Sequence, residues 1–229
     1  MSLRCWTDRS AVLFDFDGTL ADTAADLCAA ANALRVEEGL APLPLAQFRP
    51  WVSRGGKAML DIAFAHRDEA FRGALLPAFL ARYEADCARH TRLFDGMEAL
   101  LRALEAQGTP WGIVTNKPIH LARPVVEALG LSQRCAVLLG GDSLPRKKPD
   151  PLQLVTACDG LGIEPSQAIY VGDDLRDVEA AHACDMPCIV AGWGYIPTGQ
   201  DAADWGGELL LDDPRQLQAA LGLERFAAA

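Results

Sequence analysis

Aromatic residues are scarce, making up 7% of the 229 residues. The chain has no surplus of positive charge either: 21 Lys and Arg stand against 31 Asp and Glu, a formal net charge of −10. No run approaches the roughly 20 apolar residues that span a bilayer. The opening segment from Met1 to Ser10 has no apolar stretch of the kind that marks an export signal. The seven cysteines are scattered and form no C-x-x-C pair. Each shortage excludes something. An acidic chain is a poor nucleic-acid binder, because such binding draws on a basic surface. No membrane span is expected. Cysteines without pairing or an export signal read as reduced thiols in a cytoplasmic protein, most of them small core residues. A zinc site on Cys184 and Cys188 is the weaker reading of that spacing. An anionic substrate would meet net repulsion here and needs local cations or donors.

Half of the residues are hydrophobic, and their arrangement is regular. Ala11-Val12-Leu13-Phe14 reads as a short buried strand, followed at once by Asp15-Phe16-Asp17-Gly18-Thr19. Thr23 reads as an N-cap with Asp26 three residues on, opening a helix that Gly39 closes. Between residues 21 and 92 the texture is prolines and helix-like stretches with no convincing strand, which reads as a helical insertion. After Gly96 strands and helices alternate. Strands are expected at Trp111–Val114, Ala136–Leu139, Ala168–Val171 and Cys188–Val190. The helices between them carry Leu100 and Leu104, then Val125 and Leu129 with Pro124 in the first turn, then a helix opened by Pro151, then Val178, Ala181 and Cys184. The pattern predicts an α/β fold, a parallel sheet covered by helices on both faces. The expected division is a core of 1–20 and 93–229 with a helical domain over 21–92.

In open parallel sheets ligands bind beyond the carboxyl ends of the strands. Polar groups fall at such ends four times: Asp15 and Asp17, Thr115-Asn116, Lys148 before the helix after Pro151, and Asp173, Asp174 and Asp177. Clustered carboxylates are costly unless a proton or cation compensates them, and a hard divalent ion such as Mg²⁺ suits oxygen ligands. Gly18 permits a turn whose N–H groups can receive phosphate oxygens. Thr115 and Lys148 suit a transferring phosphoryl group, and a carboxylate can itself attack phosphorus. A lone Asp, Thr or Lys at such a position is usually a cap or a solvated residue. The joint occurrence at successive strand ends is what points to chemistry.

These motifs resemble the haloacid dehalogenase superfamily of phosphohydrolases: Asp15-Phe16-Asp17-Gly18-Thr19, then Thr115, then Lys148 in Lys148-Pro149-Asp150-Pro151, then Gly172-Asp173 through Asp177. The resemblance implies a Rossmann-like core with a small helical cap inserted after the first strand. It implies that Asp15 is the nucleophile and Asp17 the general acid and base. It implies Mg²⁺ on Asp15, the Asp17 carbonyl and Asp173, with Asp174 and Asp177 behind them. Phosphate would be bound by Gly18, Thr115, Asn116 and Lys148. Within the superfamily the chain is similar to bacterial phosphoglycolate phosphatases, and stretches such as Trp51–Met59 and Cys87–His90 are similar to N-acetylmuramic acid 6-phosphate phosphatases. Arg54, Gly55, Gly56 and Lys57 are the expected specificity loop of the cap. Lys117, His120 and the Gly192–Ile196 loop are further candidates near the same edge. The partner expected is a small-molecule phosphate ester, and the chain itself a monomer or weak homo-oligomer. A phosphomutase and a non-catalytic receiver-like module are the competing readings; in receiver domains the acidic pair precedes the phosphoacceptor, a layout that leaves Asp17 no place.

Overall fold

The computed structural model describes Trp6 and residues 9–223; Met1-Ser2-Leu3 and Cys5 lie outside the described residues. Its centre is a six-stranded parallel sheet. The strands are β1 (Ala11–Phe14), β4 (Trp111–Val114), β5 (Val137–Leu139), β6 (Ala168–Gly172), β7 (Cys188–Ala191) and β8 (Leu209–Leu211), in spatial order β5-β4-β1-β6-β7-β8. β1, β4, β6 and β7 are buried along their whole length, so their side chains are apolar or small on both faces. The core helices are α5 (Met97–Gln107), α6 (Ile119–Ala128), α7 (Leu152–Leu161), α8 (Leu175–His182) and α9 (Gln216–Ala220). They divide the core in two. Leu100, Leu104, Val125 and Val126 pack on one side of the sheet with Val12, Phe14 and Ile113. Leu154, Ala157, Val178 and Ala181 pack on the other with Leu13, Val114 and Tyr170. The chain builds outward from β1 to β4 and β5, then crosses back to β6, so the strand order reverses beside β1. A crevice opens at such a switch point, beyond the carboxyl ends.

Between β1 and β4 the chain leaves and re-enters the core through a two-stranded antiparallel ladder of β2 (Ala21–Asp22) and β3 (Arg92–Leu93). The excursion contains α1 (Ala24–Glu37), α2 (Leu45–Phe48), a 3₁₀ segment (Arg49–Arg54), α3 (Gly56–Ala63) and α4 (Glu69–Ala85). Its apolar residues, Phe48, Leu60, Phe64 and Phe79 among them, are continuous with the cluster on that first side of the sheet.

Several sequence expectations are corrected. Thr23 does not cap α1: its hydroxyl donates to Asp17 Oδ1 (2.6 Å), and the N–H groups of Thr23 and Ala24 instead donate to the Tyr195 hydroxyl (2.8 and 3.1 Å). Asp26 belongs to no capping box. Pro124 is the sixth residue of α6 rather than a first-turn residue, because Pro118 already occupies the cap. The N–H it lacks would have met the carbonyl of His120, an exposed residue. The strand over Val137–Leu139 is half-buried, not buried, because it is a sheet edge. β2, β3 and β8 are strands that periodicity did not indicate; two or three residues are too few to show a period. Cys184 lies past the end of α8.

Asp26 is 3% exposed, and its carboxylate accepts from the His90 N–H (3.0 Å), the Thr91 N–H (2.8 Å) and the Thr91 hydroxyl (2.7 Å). It thereby ties the first turn of α1 to the segment entering β3. Charged acceptors of this kind contribute more than neutral ones, and deleting one strands the buried donors. Asp26→Ala is expected to cost about 2–4 kcal/mol, read as a lowered urea midpoint, with Asp26→Asn retaining part of the stability.

Candidate active site

Asp15, the residue after β1, donates its N–H to the Val171 carbonyl and so continues the strand hydrogen bonding past Phe14. Asp173 follows β6, and Asp177 lies in the first turn of α8. Carboxylate oxygens of Asp15, Asp173 and Asp177 come within 4.8 Å of one another, and all three residues are buried. One cation faces them. Lys148 Nζ lies 2.7 Å from Asp177 Oδ1 and 3.1 Å from Asp15 Oδ1, and the side chain is 1% exposed. The approach to Asp15 is an ion pair without hydrogen-bond alignment, so Asp15 Oδ1 is buried with no hydrogen-bond partner. The Tyr170 hydroxyl supports Lys148 from below: it accepts from Nζ (2.6 Å) and donates to the Val114 carbonyl (2.6 Å).

The acidic residues show the strain of this assembly. Burial, then repulsion from Asp15 and Asp177, pushes the Asp173 carboxyl well above the usual range. Burial also lifts Asp177 to about 7, against the pull of Lys148. Burial works against the Lys148 ammonium, but Asp15 and Asp177 outweigh it and raise its pKa. The lysine is therefore charged, and the deficit falls on the carboxylates. Asp173 is held tightly. Thr19 donates to Oδ1 (3.0 Å); the Tyr195 N–H (2.8 Å) and the Ser53 hydroxyl (2.9 Å) donate to Oδ2. Gly18 (φ +87°) and Gly194 leave it room: a Cβ on either would fall 2.2 Å from an Asp173 side-chain atom.

Asp17 has a separate environment. Its Oδ1 accepts from Thr23 Oγ1, and Lys117 Nζ lies 3.0 and 3.2 Å from its two oxygens. Lys117 is buried, with Nζ 4.4 Å from the centre of the Tyr83 ring on α4. The Thr115 hydroxyl accepts from the Lys117 N–H, and the Asn116 amide donates to the Lys148 carbonyl while its own oxygen is buried without a partner. Asp174 turns away from the acidic trio: its carboxylate is gripped by Arg176 and caps α8.

Several of these groups line one cavity of about 270 Å³, with Asp173 lying behind it. Asp15, Asp17, Thr115, Asn116, Lys117 and Lys148 form its floor. Arg54, Gly55, Gly56 and Lys57 line it as well, with Leu27, Met59, Leu76, Leu80 and Tyr83 as an apolar wall. Arg54 stacks on Trp51, and Lys57 pairs with Glu69 at an exposed position. His120 does not line the cavity; it sits 3.9 Å from Asp142 on the surface. The Gly192–Ile196 loop serves the site through Tyr195 and through Trp193, whose indole N–H donates to the Thr19 carbonyl. Ser53 opens the loop that the sequence favours for the substrate, whereas Tyr170, Tyr83 and Arg176 carry no strand-end signal that would mark them.

The family profile for haloacid dehalogenase-like hydrolases matches residues 12–191. A phosphoglycolate phosphatase of Xanthomonas campestris pv. campestris is 52% identical over 207 residues, covering 90% of this chain and 94% of that protein. An N-acetylmuramic acid 6-phosphate phosphatase of Pseudomonas aeruginosa is 42% identical over 208 residues, covering 90% and 92%. The crystal structure of a Haemophilus somnus protein described as a predicted phosphoglycolate phosphatase superposes with a TM-score of 0.82 at 26% identity, covering 93% of this chain and 98% of that one.

Asp173→Asn replaces a carboxyl that burial forces to take up a proton, while an amide can keep every contact, its oxygen taking the two Oδ2 bonds and its nitrogen donating to Thr19. Because Asp173 and Asp177 hold protons in the folded state that they lose in the unfolded state above pH 3.8, their contribution to stability falls as pH rises toward and past 7. In metal-free buffer the variant is expected to melt higher than the parent at pH 7.5 and to lose most of that advantage at pH 5. Each kcal/mol relieved raises Tm by about 2–4 °C, readable by calorimetry.

Proposed function

The chain belongs to the haloacid dehalogenase-like hydrolases and is a phosphatase of that family, and from that premise we propose a magnesium-dependent phosphomonoesterase that works through an aspartyl-phosphate on Asp15. The observation that carries this reading is the separation of the two neighbouring aspartates. Asp15 sits with Lys148 and the acidic trio, and Asp17 sits with Lys117 and Thr23. Two carboxylates in different surroundings can take different roles.

The acidic trio fits a divalent cation. Three buried carboxylates face one ammonium, two negative charges remain, and an Asp15 oxygen is unpartnered. Asp15, Asp173 and the Asp17 carbonyl would hold Mg²⁺, which when bound neutralises charge on the phosphoryl oxygens and Asp15. The protein's own groups do the rest. An Asp15 carboxylate oxygen attacks phosphorus, the P–O bond to the alcohol breaks, and Asp17 gives the departing oxygen a proton. Asp17 then takes a proton from water as that water attacks the aspartyl-phosphate, freeing inorganic phosphate and restoring Asp15. Lys148, Thr115 and Asn116 surround the phosphoryl oxygens, and Lys117 and Thr23 fix the Asp17 carboxylate toward the leaving group. The segment 21–92 acts as the cap, hinged where β2 pairs with β3.

The substrate reading rests on the cavity. Its apolar wall and the Arg54 and Lys57 side chains suit a leaving group with both apolar surface and a carboxylate, larger than a two-carbon acid. N-acetylmuramic acid 6-phosphate, with its sugar ring, acetamido methyl and lactyl carboxylate, meets that description. Phosphoglycolate is the second reading, favoured by the name of the 52% identical relative.

Asp15→Asn is expected to reduce phosphate release by roughly ten-thousand-fold or more while leaving the thermal transition folded and cooperative; wild-type turnover would refute the nucleophile. Chelation should stop turnover and added Mg²⁺ restore it. In a side-by-side comparison of kcat/KM on N-acetylmuramic acid 6-phosphate, 2-phosphoglycolate and glucose 6-phosphate, the first should lead. Phosphoglycolate in the lead would select the second reading, and phosphoryl return to substrate without free phosphate would indicate a mutase.

A further inference from the structure

Arg176 belongs to the acidic motif but not to the acidic trio. Its Nε and Nη2 grip both oxygens of Asp174 (2.7 and 2.9 Å). Asp174 in turn is fixed by capping α8, accepting the Arg176 N–H at 3.0 Å, while its own N–H donates to Asp177 Oδ2. The guanidinium is thus aimed by a rigid element. The same Nη2 donates to the Ser53 carbonyl at 2.6 Å, across 123 residues of sequence. Ser53 closes the contact from its other end, since its hydroxyl donates to Asp173 Oδ2. Two consecutive aspartates of the core therefore hold one cap residue, Asp173 directly and Asp174 through Arg176.

The position of Ser53 gives this tie its consequence. It stands near the end of the 3₁₀ segment, one residue before Arg54 and two before Gly55, whose φ of +86° turns the chain into α3. Gly56 is also constrained, because a Cβ there would fall 2.7 Å from Leu76. Downstream the loop is fixed by α3 packing on α4; upstream its last backbone anchor to the core is the Ser53 carbonyl. We propose that Arg176 is a positioning residue that latches the 53–57 loop to the acidic motif and so sets Arg54 for substrate selection. The inference rests on the proposed specificity role of that loop. Arg is required because one planar fork must reach a carboxylate and a carbonyl together; a lysine is a point donor that can satisfy the Asp174 carboxylate but cannot bridge both.

Arg176 also lines the cavity, so the test must separate a latch from a direct substrate contact. Hydrogen–deuterium exchange on the full chain reads the latch without activity. In Arg176→Met and in Arg176→Lys, the amides of 49–57 should exchange about tenfold faster, the loss of one charged hydrogen bond, with α8 protected as before in Arg176→Lys. In kinetics, Arg176→Met should raise KM for N-acetylmuramic acid 6-phosphate by a larger factor than it raises KM for p-nitrophenyl phosphate. Combined with Arg54→Ala it should add no further loss, because both changes remove the same contact. Unchanged exchange over 49–57, or losses that add in the double variant, would overturn the latch. If Arg54→Ala alone leaves the substrate preference untouched, the specificity reading of the loop fails, and the exchange result still decides the latch.

Discussion

An excess of buried negative charge governs this molecule. Asp15, Asp173 and Asp177 converge with only Lys148 among them, and the result is visible in carboxyls pushed above their ordinary range. Burying like charges costs several kcal/mol even after relaxation. A chain that maintains such a cost gains from it only when a cation or a reacting group arrives. Much of the surrounding structure serves to hold the charges where they are: Tyr170 beneath Lys148, the Tyr195 N–H and Thr19 on Asp173, and two glycines that clear the space.

The sheet provides that rigidity. β1, β4 and β6 are adjacent, parallel and wholly buried, so the residues leaving their carboxyl ends are placed by three strands that cannot shift independently. The helical excursion is attached differently. It meets the core through a two-residue ladder, the Thr23 and Ala24 N–H groups on the Tyr195 hydroxyl, the stack of Lys117 under Tyr83 and the contacts of Ser53, while the Asp26 clamp closes its own two ends. Lys117 is notable because it contacts both parts at once: its ammonium pairs with Asp17 of the core and faces the ring of a helix from the excursion. The candidate site and the attachment of the excursion thus share a side chain.

The parts of this arrangement that could be read from sequence were those whose chemistry and spacing repeat at each strand end. Asp15, Asp173 and Lys148 could be placed because short apolar runs precede or follow them at fixed distances. Thr23 could not, since a Thr before a helix looks the same whether it caps that helix or reaches back to Asp17. Pro124 misled for a similar reason: the start of α6 depended on Pro118, and two prolines six residues apart compete for one helix start. β8 lies in a glycine-containing segment and β2 and β3 span two residues each, too short for any period. Arg176 and Ser53 meet across 123 residues of sequence, a long-range pairing that local pattern does not encode. Tyr170 looked like one more apolar strand residue, and only its hydroxyl, hidden below the lysine, distinguishes it.

The antiparallel pairing of Ala21 with Leu93 and Asp22 with Arg92 brings the two ends of the 69-residue span between Asp22 and Arg92 side by side. The excursion therefore behaves as a cassette whose inlet and outlet share one doorway. What passes through that doorway is not inert, because Thr23, Ser53 and Tyr83 of the cassette each touch a residue of the acidic site.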